Sequence, residues 1–157
     1  MATVKKILNN IEEFIVVPLV ATMVVVVILQ VIFRYIIRGS LPWSEELSRY
    51  LMVWITFLGA SIGVKRGAHV GVEALVIALP RKAQTIVRYL GIVISLIFCI
   101  VVLNASLGIL TRQIASQQVS PAMRMPMWWA YLAIPSGFSL MTIRFIQILF
   151  KRKTVKV

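Results

Sequence analysis

Acidic side chains are scarce in this 157-residue chain, which has five glutamates and no aspartate beside 17 lysines and arginines. It also has a single histidine, His69, and a single cysteine, Cys99. One histidine cannot supply both axial ligands of a b-type haem, and one cysteine cannot form an internal disulfide or a C-x-x-C redox pair. The composition therefore opposes a haem-carrying electron-transfer protein, and we predict no cofactor and no metal site.

Long apolar runs dominate the sequence: 60% of the residues are hydrophobic, and the mean hydropathy is +0.93. The runs without charge are Phe14–Phe33, Tyr50–Val64, Tyr89–Thr111 and Met125–Ile143. A helix needs about 20 residues to cross the ~30 Å hydrocarbon core, where each backbone amide must be satisfied within its own segment. We predict an all-α integral membrane protein with four helices in one domain, residues 1–157. The predicted spans are approximately 12–37, 44–65, 83–115 and 126–150.

A shorter apolar segment, residues 69–79, lies between the second and third spans. It is too short to cross a bilayer, Glu73 interrupts it, and Pro80 ends it. Basic residues flank it on both sides, which predicts an amphipathic helix lying in the membrane interface. The same basic residues predict contacts with the headgroups of the lipid bilayer. The headgroup candidates are Lys65, Arg66, His69, Arg81 and Lys82.

The net charge of +12 is distributed unevenly among the ends of the spans. Eleven basic residues precede the first span, lie between the second and third spans, or follow the fourth. Five lie in the other two connections. The positive-inside rule then predicts that both termini and the middle connection are cytoplasmic. Because the basic residues cluster at span ends, topology explains the charge, and no nucleic-acid partner is predicted.

No acidic residue is expected near the middle of a span. Ion-coupled carriers normally place an ionisable group at membrane depth, and many contain broken helices in symmetric pairs. The sequence has neither feature, so we expect neither an autonomous carrier nor an enzyme. Two alternatives stay open: a small four-helix exporter of the multidrug type, and a membrane anchor for a redox complex. The exporter should have a glutamate embedded in its first helix, and the run Phe14–Phe33 has none.

The start of the second helix carries a group of aromatic and charged residues. Glu45 and Arg49 form an i,i+4 pair, and Glu46 and Arg49 form an i,i+3 pair. One interpretation is a helix start with Ser44 as its N-cap, and the other is a docking patch for a partner. The partner-contact candidates are Trp43, Glu45, Glu46, Arg49 and Trp54.

Three glycines, Gly59, Gly63 and Gly67, recur at intervals of four residues near the end of the second helix. This spacing lets two helices approach closely in lipid. We predict that these glycines pack against another helix, either within the chain or in a partner.

Three blocks of sequence resemble the small membrane subunit of tripartite ATP-independent periplasmic (TRAP) transporters, the DctQ-like family. The first block runs from Arg34 through Pro42-Trp43-Ser44-Glu45-Glu46 to Arg49 and Trp54. The second is residues 66–73, where the family often has an aspartate in place of Glu73. The third is residues 120–128, followed by Tyr131, Pro135 and Gly137.

This resemblance implies one subunit of a larger transporter in the bacterial inner membrane. In such systems a periplasmic binding protein captures an organic acid, commonly a dicarboxylate or a sugar acid such as sialic acid. It delivers the acid to a large DctM-like membrane subunit that performs sodium-coupled transport. The small subunit binds the large one and enlarges its static scaffold. The expected partners are therefore the large subunit and the binding protein, with sodium coupling in the large subunit and no cofactor here.

Overall fold

The computed structural model describes the backbone of residues 2–66 and 80–154, and the side chains of residues 12–66, 80 and 83–150. The predicted interfacial helix at 69–79 lies outside these ranges, as do Gly67, His69 and the side chains of Arg81 and Lys82. The helices are α1 (Ala2–Ile32), α2 (Pro42–Lys65), α3 (Arg81–Ser116), α4 (Trp128–Tyr131) and α5 (Ala133–Thr154). A π-helical turn, Phe33–Ile37, continues α1.

Within the described residues, four helical stretches are long and apolar enough to cross a membrane: Glu12–Ile37, Pro42–Lys65, Ala83–Ser116 and Trp128–Phe150. This confirms the predicted all-α, four-span membrane protein. The second helix begins at Pro42, two residues before the predicted start, because the fixed φ of proline suits the first helical position. Ser44 therefore lies inside the first turn, and its hydroxyl donates to the Leu41 carbonyl at 2.8 Å instead of capping the helix.

The spanning helices form a row and not a closed bundle. α1 packs on α2, α2 packs on α5, and α5 packs on α3. Among the described residues, the backbone of α1 is not in contact with the backbone of α3 or α5. Thus α2 and α5 lie in the centre, while α1 and α3 form the edges. The edge helices have many exposed aliphatic side chains, which suit contact with lipid or with another membrane helix.

Successive spans alternate in direction, so the row has two distinct ends. The termini end holds the beginnings of α1 and α3 and the ends of α2 and α5. The loop end holds the connections at residues 38–41 and 117–127.

The apolar core lies where α2, α3 and α5 meet. Its buried members are Val64, Ile92, Cys99, Phe138, Met141 and Phe145. Helices α2 and α5 approach closely at Gly137 of α5, where an added Cβ would lie 2.6 Å from the Cβ of Phe57 in α2. Any larger residue would therefore push α2 and α5 apart, and the rings of Phe57 and Phe138 pack beside this contact at 5.7 Å.

The glycines that the sequence analysis selected behave differently. A Cβ added at Gly59 or Gly63 would meet no atom within 4 Å among the described residues. These two glycines therefore do not mediate close packing within the described part of the chain, and Gly137 does. Packing of Gly59 and Gly63 against another protein stays a prediction.

Candidate functional site

Glu46, which the sequence analysis placed in a partner-contact patch, points into the molecule. Its side chain leaves the start of α2, and the residue is 9% exposed. Its Oε2 atom accepts the backbone N–H groups of Ala122 at 2.9 Å and of Met123 at 3.0 Å. Its Oε1 atom accepts the hydroxyl of Tyr50. These four residues, here named the Glu46 anchor, tie the 117–127 connection to α2.

The anchored connection is a tight, irregular turn. Gln117 and Arg124 both have positive φ angles, 47° and 52°, in the left-handed region that non-glycine residues rarely adopt. Two backbone hydrogen bonds join the sides of the turn, from Ser120 N to Met125 O at 2.8 Å and from Met127 N to Gln118 O at 2.9 Å. Such strained conformations persist when surrounding contacts hold them. The Glu46 anchor supplies contacts of that kind from outside the turn.

Glu45 and Arg49 form the exposed part of the predicted patch. Their side chains are 67% and 70% exposed, and the Arg49 Nη2 and Glu45 Oε1 atoms are 3.3 Å apart. Trp43 is also exposed beside them, whereas Trp54 is half-buried further along α2. The structure therefore brings Glu45 and Arg49 together and directs Glu46 away from Arg49, so the predicted i,i+3 pair is replaced by the anchor.

The surface of the loop end is strongly cationic. Its exposed basic residues are Arg34, Arg38, Arg49, Arg112 and Arg124, here named the loop-end arginines. Glu45 is the only exposed acid among the described residues, and its charge is already paired with Arg49. Aromatic rings lie at the same level, including the stacked pair Trp128 and Trp129, whose centroids are 4.9 Å apart. Such rings are typical of a membrane interface.

A second buried carboxylate lies at the termini end. Glu12 of α1 is 1% exposed, and Arg144 of α5 is 7% exposed. The two side chains form a bidentate pair, with Nε to Oε1 at 3.1 Å and Nη2 to Oε2 at 3.0 Å. Ser61 of α2 donates to Glu12 Oε1 at 2.8 Å, and Arg144 Nη1 donates to Gln147 at 2.9 Å. This Glu12 cluster joins the first and last spans across α2.

The neighbouring Glu13 is partly exposed and pairs with two of the predicted headgroup-binding residues. Its Oε1 atom lies 3.3 Å from Lys65 Nζ and 3.3 Å from Arg66 Nη2. The Lys65 side chain is 16% exposed and the Arg66 side chain is 66% exposed. Arg66 therefore retains the accessibility that a headgroup contact needs, and the role of both residues with lipid stays a prediction.

The sequence analysis missed the Glu12 cluster. It assigned no role to Glu12, and it did not place Arg144 in either group of basic residues at the span ends. A signal was present, because Arg144 lies seven residues before Lys151, which places it roughly 10 Å deeper along the helix. A cation at that depth needs a partner. Spacing along one helix cannot identify a partner 132 residues away.

The chemistry of these sites is that of binding and bracing. In the described ranges, no three histidine, cysteine, aspartate or glutamate side chains converge to hold a metal ion. The two buried carboxylates are occupied by internal donors. The loop-end arginines and exposed tryptophans remain accessible to a partner.

Comparison with known protein families gives a match over most of the chain. The family model for the DctQ component of tripartite ATP-independent periplasmic transporters matches residues 23–154. The chain belongs to the DctQ family. It is therefore a multi-pass membrane protein of the TRAP small-permease type, as the sequence resemblance indicated.

Individual DctQ-family relatives agree with this assignment. The chain is 35% identical over 115 residues to the C4-dicarboxylate TRAP transporter small permease protein DctQ of Rhodobacter capsulatus, covering 73% of this chain and 51% of the relative. It is 31% identical over 149 residues to the sialic acid TRAP transporter small permease protein SiaQ of Vibrio cholerae, covering 93% and 83%. It is 28% identical over 144 residues to the isethionate TRAP transporter permease protein DctMQ of Oleidesulfovibrio alaskensis, covering 88% and 23%.

The chain thus spans about half the length of the Rhodobacter DctQ protein and about a quarter of the DctMQ permease. The DctQ family match includes Glu46, Ser61 and Arg144 but begins after Glu12. The carboxylate that pairs with Arg144 therefore comes from the part of α1 that precedes the match.

Proposed function

We propose that this chain is the small, non-transporting subunit of a TRAP transporter for organic acids, and that it acts as a membrane scaffold for a large transport subunit. The observation that carries the proposal is the match to the DctQ family over residues 23–154. The geometry supports it, because the buried carboxylates Glu12 and Glu46 are bound internally and are not aimed at a cavity. Sodium coupling then belongs to the large subunit.

The existence of a large membrane partner is supported by the longer relative. A region similar to this chain makes up 23% of a protein named permease protein DctMQ, so small and large parts occur there in one polypeptide. We propose a DctM-like large part as the partner of this chain as well. The row of helices offers two edges and two faces for such a partner, whereas a closed bundle would offer less surface.

The proposed orientation places the termini end in the cytoplasm and the loop end in the periplasm of a bacterial inner membrane. The distribution of basic residues in the sequence supports this orientation. The loop-end arginines would then face the periplasmic binding protein. A cationic surface of this kind attracts an acidic surface on a partner and raises the rate of productive encounter.

The described part of the chain offers no support for the exporter alternative. Glu12 lies at the start of the first span, but Arg144 and Ser61 already bind both of its oxygens. A coupling carboxylate must exchange protons or cations, and a carboxylate held by a guanidinium in two hydrogen bonds is poorly suited to that. We therefore propose no second function.

Reconstitution tests the proposal directly. Liposomes containing this chain alone should take up neither radiolabelled succinate nor sialic acid under any ion gradient. Affinity purification of the tagged chain from its native membrane should retain a much larger membrane protein. Uptake by this chain alone above the level of empty liposomes would overturn the proposal, and so would purification without any large membrane partner.

A further inference from the structure

One polar side chain on the edge helix α3 is exposed at a depth where hydrocarbon lies. Asn104 is exposed and lies in the charge-free run Tyr89–Thr111, four residues from its middle. Four residues correspond to about 6 Å along a helix, well inside a hydrocarbon core with a half-thickness of about 15 Å. Arg112, the next charged residue, is eight positions away, or about 12 Å, which a short asparagine side chain cannot bridge.

The amide of Asn104 is incompletely hydrogen-bonded. Its Nδ2 atom donates to the backbone carbonyl of Ile100 at 3.0 Å. Its Oδ1 atom has no donor among the described residues. The hydroxyls of Thr56 and Thr111 donate to backbone carbonyls of their own helices, so their exposure does not indicate a partner helix. A carbonyl oxygen without a donor is costly in lipid, because the tails offer no hydrogen bond.

The surroundings of Asn104 suit a neighbouring helix. Gly108, Thr111 and Ala115 follow it at i+4, i+7 and i+11, so they share its face, and all of them are exposed. A Cβ at Gly108 would meet nothing within 4 Å, so packing inside the described part of the chain does not explain this glycine. Towards the termini end, the same face carries bulky Ile97 and Val101, which are 57% and 59% exposed. The small and polar part of the face is thus confined to the half nearer the loop end.

The other edge helix lacks this feature. The exposed side of α1 near mid-span consists of aliphatic residues such as Val24, Val25 and Ile28. Gln30 is half-buried and lies one turn from Arg34, so its longer side chain can reach towards the polar interface. The two edges of the row are therefore chemically different, and only α3 has an exposed amide near the middle of its apolar run.

We infer that the Asn104 face of α3, which comprises Asn104, Gly108, Thr111 and Ala115, packs against a transmembrane helix of the large transport subunit. That helix supplies a hydrogen-bond donor to Asn104 Oδ1 at the point where Gly108 permits close approach. The inference rests on the proposed function, because the permease DctMQ, which contains a region similar to this chain, has the large part in the same polypeptide. A second copy of this chain and the lipid itself are the competing occupants.

Photo-crosslinking identifies the occupant. In a Cys99→Ser background, Thr111→Cys carries a benzophenone maleimide in the purified complex with the large subunit, and Val25→Cys on α1 serves as the control site. We expect the probe at residue 111 to form an adduct with the large subunit. An adduct with a second copy of this chain, or with lipid alone, overturns the inference while leaving the proposed function intact. If wild-type protein retains no large subunit at all, the proposed function fails and the inference fails with it.

A substitution gives a second, quantitative test. Asn104→Leu removes the amide from an exposed position, so the chain itself should still fold. We expect the retention of the large subunit to weaken about 3- to 15-fold, the range for one hydrogen bond between membrane helices. Val101→Leu, on the same face but in its aliphatic half, is the matched control and should leave retention unchanged. Equal retention by both variants would contradict the inference.

Discussion

Among the residues that the structure describes, the two ends of this membrane protein each bury one carboxylate, and they satisfy it in opposite ways. At the loop end, Glu46 is bound by neutral donors: two backbone N–H groups of the 117–127 connection and the hydroxyl of Tyr50. At the termini end, Glu12 is bound by a charged guanidinium from the last span and by Ser61. The first arrangement shapes a surface turn, whereas the second joins helices that are far apart in sequence.

This difference separates two kinds of polar residue that look alike in a membrane sequence. The loss of Glu46 would free a turn that carries exposed residues such as Arg124, so its consequence should be local. The loss of Arg144 would leave a buried anion between α1 and α5, whose backbones do not come into contact among the described residues. Its consequence should reach the arrangement of the whole row.

The largest effect is expected from Arg144→Leu. This change leaves Glu12 buried without its cation, and breaking one side of a buried ion pair typically costs about 3–5 kcal/mol. The melting temperature of the purified protein in detergent, followed by tryptophan fluorescence, should fall sharply. The double variant Glu12→Leu/Arg144→Leu should recover much of the loss, because it removes both charges together.

Ser61→Ala provides the matched control, since it deletes one donor and keeps the ion pair. We expect a smaller loss, about 1.5–3 kcal/mol, as is typical of one hydrogen bond to a charged group. If Arg144→Leu melted at the wild-type temperature, the cluster would not hold α1 in place and the contrast between the two ends would disappear.

The fold was largely predictable, because the four apolar runs are long and uninterrupted. A charge-free run such as Tyr89–Thr111 must satisfy its backbone amides within its own segment when it crosses hydrocarbon, which requires a helix. Composition and length are therefore enough to predict the spanning helices. The start of α2 was displaced by two residues because Ser44 was preferred as a cap over Pro42 as the first helical residue. The order of the helices in the row was not predictable, since apolar helix faces in lipid look alike whether they pack or not.

The sites were predicted less well, for a physical reason. Spacing on a helix shows that Glu45, Glu46 and Arg49 are close together, but it does not show which of them turns inward. The partners of Glu46 include the backbone amides of residues 122 and 123. Almost every residue has a backbone amide, so the pattern of side chains does not show which amides will bind a carboxylate. The glycine spacing had the same weakness, because Gly137 packs closely without belonging to a repeated motif.

An intermediate effect is expected from Glu46→Gln, which keeps the size of the side chain and removes its charge. Hydrogen bonds to a charged group contribute about 1.5–3 kcal/mol, and the amide of glutamine replaces one acceptor oxygen with a donor. The backbone amides of Ala122 and Met123 should therefore exchange with deuterium about 10- to 100-fold faster. The melting temperature should change less than in Arg144→Leu.

Glu45→Gln is the matched control at the adjacent position, since its side chain is exposed and its carboxylate pairs with Arg49 instead of the turn. Its amide exchange at residues 122 and 123 should equal that of the wild type. Unchanged exchange in Glu46→Gln would show that the turn holds itself without the anchor, and the loop end would then differ from the termini end even more than proposed.

The smallest effect on stability is expected from Arg49→Ala. Its ion pair with Glu45 is exposed on both sides, and such pairs contribute about 0.2–1 kcal/mol. The melting temperature should hardly change, yet Arg49 is one of the loop-end arginines proposed to face the binding protein. Uptake by the complete three-component system should therefore require a higher concentration of loaded binding protein, and added salt should reduce the difference from wild type.

Glu45→Ala is the informative comparison, because it breaks the same ion pair but leaves the cation in place. We expect it to keep or improve the response to the binding protein. If Arg49→Ala and Glu45→Ala both transport like the wild type at every binding-protein concentration, then Arg49 has no role in docking, and docking depends on other residues of the loop end.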